Sequence, residues 1–306
     1  MTREFEHFVA LDWSGAKGER HRGIALAVAV AGKAPPVLVK PVDDKGWSRL
    51  EIMEILKDGL PANTLVGADL GISLPYQDAG AFFPGWSQSP RSAKKLWALI
   101  DEMCADDPHL GAHSFLEHPE AARYFRHSKA HVGDRFLLEG AVTREGRFRV
   151  AEAAQRAQNC RPVSNFNLVG AAQVGKSSLT GMRMLHQLQG HLPVWPMDPI
   201  PTKRQVSGGS MLVEIYTGLA SKEAAALRNE GRGARTKLLT YADLNDALDA
   251  LGSAPVDKTG TVDDHSSDAL LTAAWLRKAA KEERRWNPRF LTAEIAWTEG
   301  WTFGAL

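Results

Sequence analysis

A chain of 306 residues, 44% hydrophobic and 24% charged, can bury a sizeable core as one large domain or two modest ones. It has no run of eighteen apolar residues, an amino terminus (Met1-Thr-Arg-Glu-Phe-Glu6) without signal-peptide order, and two cysteines, Cys104 and Cys160, far apart. These features exclude a membrane-spanning helix, a disulfide framework and a thiolate metal site, and lead us to expect a cytoplasmic protein, while a net charge of +1 gives no overall field for nucleic acid.

Phe8-Val-Ala-Leu11 is an apolar run that ends in Asp12 and breaks into Trp13-Ser-Gly15. It predicts a buried strand with a carboxylate at its carboxyl tip, although Asp-x-Ser-Gly is also ordinary turn chemistry. Arg22 to Ala31 predicts a second buried strand, joined to the first by a hairpin. Pro36 to Lys40 predicts a short third strand near an edge, and Trp47 to Leu60 has helical spacing. Thr64 to Asp69 predicts a fourth strand, again tipped by a carboxylate and followed by Gly71 and Pro75.

The middle of the chain is less regular. Helices are expected over Pro90 to Cys104 and Ser178 to Gly190, a short strand over Ser114 to Glu120, and an extended stretch over Asn165 to Gly170. Ser210 to Tyr216 predicts a fifth strand carrying Glu214. Helices follow over Ser221 to Asn229, Tyr241 to Leu251 and Val262 to Lys281, the last opening with Asp263-Asp264-His265-Ser-Ser-Asp268.

Strand ends bearing Asp12 and Asp69, met by Asp264 and Asp268 from one helix face, would gather like charges that are unfavourable unless a cation neutralises them. Oxygen donors without thiolates select Mg²⁺ or Mn²⁺, and two such ions can activate water against a phosphodiester. Acids in a first helical turn also complement the helix dipole without any further purpose.

Val9-Ala-Leu-Asp12-Trp-Ser-Gly-Ala16, Gly67-Ala-Asp69-Leu-Gly-Ile-Ser-Leu-Pro75, Leu212-Val-Glu214-Ile-Tyr216, His265-Ser-Ser-Asp268-Ala-Leu and Glu299-Gly-Trp-Thr-Phe-Gly304 together resemble the family called domain of unknown function 429. That family is described as predicted RNase H-like nucleases, and the resemblance spans nearly the whole chain. The His-x-x-Asp-Ala-Leu segment also resembles the last catalytic helix of RuvC-type Holliday-junction resolvases. The resemblance implies an α/β RNase H-like three-layer fold, with a mixed five-stranded central sheet, helices on both faces and a large insertion at 76–201. It implies roles for Asp12, Asp69, His265 and Asp268, with Glu214 an additional ligand and Asp264 or His265 completing the site. Thr217 departs from the family's usual Pro after Glu-Ile-Tyr, and many resolvase-type enzymes carry Glu rather than Asp on the fourth strand.

Two further patterns bear on function. Gly170-Ala-Ala-Gln-Val-Gly175-Lys176-Ser177 matches the phosphate-binding P-loop letter for letter, but the stretch before it is short and polar where a P-loop strand is central and apolar. Its glycines also suit a tight loop before a helix that binds one backbone phosphate. Between 121 and 161, nine Arg and Lys residues face four acids, which suits either phosphates or a solvated basic face. No His-x-x-x-His pair and no Gly-x-Ser-x-Gly elbow occurs, against zinc and serine hydrolysis. The expectation is therefore a Mg²⁺- or Mn²⁺-dependent nuclease acting on DNA or RNA by a two-metal mechanism. The alternatives are an ATPase or kinase using Gly170–Ser177 or an actin-like phosphate site, and a non-catalytic nucleic-acid-binding module.

Overall fold

The computed structural model describes residues 4–141, 143–170, 173–201, 208–228 and 237–306. Its strands are β1 (His7–Asp12), β2 (Arg20–His21), β3 (Ala25–Val30), β4 (Val37–Val39), β5 (Trp47–Ser48), β6 (Thr64–Asp69), β7 (Val194–Trp195) and β8 (Met211–Glu214). Its α-helices are α1 (Arg49–Glu54), α2 (Ala93–Met103), α3 (His113–Glu117), α4 (Val150–Ala157) and α5 (Val174–Gln187), then α6 (Thr217–Leu227), α7 (Tyr241–Ala250), α8 (Asp264–Ala279), α9 (Glu283–Trp286) and α10 (Ala293–Thr298).

Six strands form one mixed sheet in the order β4-β3-β1-β6-β8-β7. β1, β3 and β4 are an antiparallel meander, and β6, β8 and β7 continue parallel to β1. The expected count of five misses β7, a buried pair between Pro193 and Pro196 that is too short to show periodicity. β2 and β5 pair separately, at the turn region below β1.

Alternation along the strands sends side chains to two cores. In β1, Phe8 and Ala10 pack with α6, α7 and α8, whereas Val9 and Leu11 pack with α2 and α5 on the other face. α8 crosses β1 and β3, with Leu270, Leu271, Ala273 and Ala274 buried beneath it. Asp263 caps this helix by accepting from Ser266 N, as Ser92 and Thr240 cap α2 and α7. Gly67 allows the close approach of α8: a Cβ there would lie 2.7 Å from Leu276 Cδ1 and from Ile215 Cγ2.

The stretch Ser114 to Glu120 is not a strand. Asp107 accepts hydrogen bonds from both the amide and the hydroxyl of Ser114, and this cap from a neighbouring turn starts α3. Asn165 to Gly170 is not the extended stretch expected: Asn167 N bonds Ser164 O in a turn through Asn165 and Phe166, an isolated bridge holds Asn167 to Arg126 outside the sheet, and Gly170 sits at a bend.

Candidate active site

Asp12 and Asp69 end adjacent parallel strands and are direct register partners. They share the parity of Phe8, Ala10, Leu65 and Gly67, so both carboxylates project toward the α6–α8 face. There α8 presents its first turn. His265 Nδ1 lies 2.7 Å from Asp12 Oδ2, and Thr217 at the start of α6 hydrogen-bonds to Asp69.

The electrostatics record the crowding. Burial, followed by the charges of Asp12 and Asp268, pushes Asp69 well above the usual carboxylate range. Burial and Asp12 push Asp268 up to about 7. Burial also raises Asp12, against the opposing effect of His265, and the hydrogen bond to Asp12 raises His265 in turn. Three carboxyl groups thus resist ionising together, with one imidazole as the nearest counter-charge.

The opposite wall is the turn after β1, packed on the first turns of α5. Trp13 Nε1 donates to Thr180 Oγ1 at 3.0 Å, and a Cβ on Gly15 would fall 2.3 Å from the Lys176 carbonyl carbon and the Ser177 nitrogen. A cavity of about 400 Å³ opens between these walls, lined by Asp12, Asp69, Gly15, Ser177, Arg149 and His265 among others. The acidic strand tips and the Gly175–Ser177 turn, far apart in sequence, therefore face one space.

Other expected site residues go elsewhere. Asp264 turns outward to an ion pair with the Lys237 ammonium. Glu214 pairs in register with Ala68, not Asp69, so the alternation of β8 sends it to the face opposite the two aspartates. Both of its oxygens are occupied there. Oε2 accepts from Ile72 N at 2.8 Å and Arg149 Nη1 at 2.7 Å, and Oε1 accepts from Arg149 Nη2 and Thr302 Oγ1.

Arg149 is the residue that the sequence hid, as one cation in a basic run. All five of its guanidinium donors are used, on Glu152, Glu214 and the Glu299 carbonyl. Burial alone would lower its pKa, but Glu152 and Glu214 hold it well above the ordinary arginine value. Glu299 braces the same point by accepting from the amides of Tyr76, Gln77 and Val150.

Much of the remaining basic segment is also engaged. Arg123 pairs with Asp134 and Glu120, Arg147 with Asp78, and Arg156 with Glu145. Arg135 bonds Pro84 O and Tyr124 Oη, and Arg126 bonds Arg144 O. Several cations of this stretch are thus spent on fastening loops, both within it and to residues 75–84.

The P-loop pattern meets a different context from that of a nucleotide-triphosphate site. Among the described residues no sheet strand leads into it, Lys176 Nζ is bonded to Gln173 Oε1 at 2.8 Å, and Ser177 Oγ donates back to Val174 O. Gly170 has the left-handed φ of +88°, and Gly175 lets α5 settle against Asn165 and Asn167, whose carbonyl oxygens lie 2.6 and 2.9 Å from where a Cβ would sit. Residues 171–172 of the pattern lie outside the described residues.

Among the described residues, no group of three or more His, Cys, Asp or Glu side chains could hold a metal ion as the side chains stand. The chemistry of Asp12, Asp69 and Asp268 nevertheless suits a hard cation, since all three offer oxygen, and Asp12 raises the pKa of both Asp69 and Asp268. Comparison of the chain with family models, with curated proteins and with solved structures finds no match in any of the three.

Proposed function

We propose that this chain is an RNase H-like hydrolase of phosphodiester bonds in nucleic acid, dependent on Mg²⁺ or Mn²⁺. The observation that carries the reading is the pairing of Asp12 with Asp69 on neighbouring parallel strands, opposite the first turns of α8 with His265 and Asp268. The sheet supports it: a three-stranded antiparallel meander followed by parallel strands is the arrangement expected of that fold.

Asp12, Asp69 and Asp268 would hold the cation. A bound Mg²⁺ or Mn²⁺ supplies Lewis-acid polarisation of a phosphoryl oxygen. His265 orients Asp12 through its Nδ1 contact, leaving Nε2 free of that bond and able to exchange a proton in the cavity. Burial and the charge of Asp12 push Asp268 up to about 7, a crowding that a cation held between the two carboxylates would relieve. The choice of nucleic acid as substrate rests on the fold and the acid set, because Arg123, Arg126, Arg135, Arg147, Arg149 and Arg156 of the basic segment are bonded within the protein.

The test is cleavage of DNA and RNA panels, single-stranded, duplex and branched, with Mn²⁺ present. Wild-type cleavage that disappears in Asp12→Asn supports the reading. Equal cleavage by both proteins, or none by wild type on any substrate, sinks it.

A further inference from the structure

We propose that a second cleft, on the β3–β4 side of Asp12, holds one unpaired nucleobase of the strand being cut. This inference rests on the proposed hydrolysis of nucleic acid and names the form of substrate that the site takes.

Asp12 has two register partners, Asp69 on β6 and Ala25 on β3. One cavity opens beside Asp69. A second, of about 510 Å³, opens beside Ala25, at the ends of β3 and β4. His265 and Gly23 line both. A Cβ on Gly23 would come 3.4 Å from His265 Nε2, so the glycine keeps the saddle between the two cavities low. A strand lying across this saddle would place a phosphate at Asp12 and the attached base in the cleft.

The lining selects a base rather than an anion. Ile24, Leu26, Leu38 and Val39 give the cleft an apolar floor. Its charges cancel, Arg22 and Lys40 against Asp44 and Asp263, the last engaged in capping α8. Apolar walls with a few polar groups, at this volume, suit one uncharged heterocycle. A duplex, whose bases are paired and stacked, would have to release one to fill it. Arg22 and Lys40 are exposed and have no ion-pair partner among the described residues, which suits the phosphates flanking such a base.

Trp47 supplies the specific contact. It lines the cleft and is 5% exposed, yet its indole N–H has no acceptor among the described residues and is not sealed from solvent. The corresponding groups of Trp13, Trp97, Trp275, Trp286 and Trp301 are all bonded within the protein. A largely buried indole finds a partner as a rule, and a ring nitrogen or carbonyl oxygen of a nucleobase is an acceptor of the right kind.

The wall is set before any ligand arrives. Trp47 on β5 pairs with His21 on β2, and Gly46, at a φ of +104°, passes so close that a Cβ would lie 2.5 Å from His21 O. Ser48 then caps α1 in a reciprocal bond with Glu51, which Arg20 holds in turn. A preformed wall spares a ligand the cost of ordering it.

The experiment labels the full-length wild-type protein with ¹⁵N-tryptophan and titrates it in EDTA with thymidine, uridine, adenosine and cytidine, and with ribose. The Trp47 signal is located by its absence in Trp47→Phe or, should that variant not fold, by sequential assignment. The expected result is a saturable shift of the Trp47 indole N–H with at least one nucleoside and none with ribose. No shift with any nucleoside, or an equal shift with ribose, overturns the inference. With Mn²⁺, a single strand should be cut at least about tenfold faster than the same sequence in a perfect duplex, because only the paired base must first be unstacked. Equal cleavage of the two also overturns the inference, while leaving the proposed hydrolase standing. A shifted Trp47 without cleavage of any substrate removes the hydrolase and leaves the cleft as a nucleobase site.

Discussion

Glu214 stands beside Ala68 rather than Asp69, and that offset of one residue separates two kinds of acid in this protein. All three border the same cavity, but Asp12 and Asp69 project toward α8, whereas Glu214 lies on the other face of the sheet and is held by Arg149. The two kinds should respond differently to mutation. Asp69→Asn should retain the fold and lose about 100-fold or more in cleavage rate, as removal of electrostatic stabilisation at a reacting centre commonly does. Glu214→Gln should instead lower the melting temperature. Thermal melts alongside cleavage rates check the contrast, and a stable but inactive Glu214→Gln would contradict it.

Arg149→Met leaves Glu214 and Glu152 buried without their counter-charge. Breaking such a buried pair costs about 3–5 kcal/mol, while replacing both partners with apolar groups costs less. Arg149→Met/Glu214→Met should therefore be more stable than Arg149→Met alone. Urea denaturation of the two variants measures the difference, and equal stability would show that the pair is not coupled.

The raised pKa of Asp268 makes stability depend on pH. Its carboxyl titrates near 7 in the folded protein against 3.8 when unperturbed, so the folded state binds a proton that the unfolded state has already lost. In metal-free buffer, stability should fall as pH rises from about 4 to about 7, since the unfolded chain binds fewer protons across that window. His265, raised by its bond to Asp12, contributes in the same direction, its benefit being lost as pH rises through its folded pKa. Asp268→Asn should stabilise the metal-free protein at pH 8 by on the order of 2 kcal/mol and abolish activity. Melting temperature against pH in EDTA tests this, and a flat profile for wild type would refute it. Addition of Mn²⁺ should raise the wild-type melting temperature at pH 8 and have little effect on Asp268→Asn.

Lys176, half-buried on the first turn of α5, is bonded to the side chain of Gln173. Lys176→Ala keeps the packed Cβ and should change stability by no more than about 0.5 kcal/mol, as substitutions away from the core usually do. Neither it nor wild type should give heat on titration with ATP. Gly15→Ala is the sensitive position on that side, because its methyl group would collide with the backbone at Lys176 and Ser177. It should destabilise by about 1–3 kcal/mol, typical of overpacking, and reduce cleavage by moving the turn that carries Asp12.

The sequence by itself determined the main strands, their acidic tips and the amino end of α8, because each carries its signal locally. Alternating or continuous apolar runs mark β1, β3, β6 and β8, and Asp263 marks the start of α8 through its own capping bond. β7 and α3 were not legible, since two residues show no period and the cap of α3 comes from Asp107 in a preceding turn. Only the tertiary structure decided what each acid does. Asp12, Asp69 and Glu214 look alike along the chain, as carboxylates closing buried strands. Which of them share a face depends on how β1, β6 and β8 are registered, and register is set by packing between strands rather than within them. The partner of Glu214 was invisible for the same reason. Arg149 reads as one charge in a basic run until the fold brings it 65 residues across to a buried carboxylate.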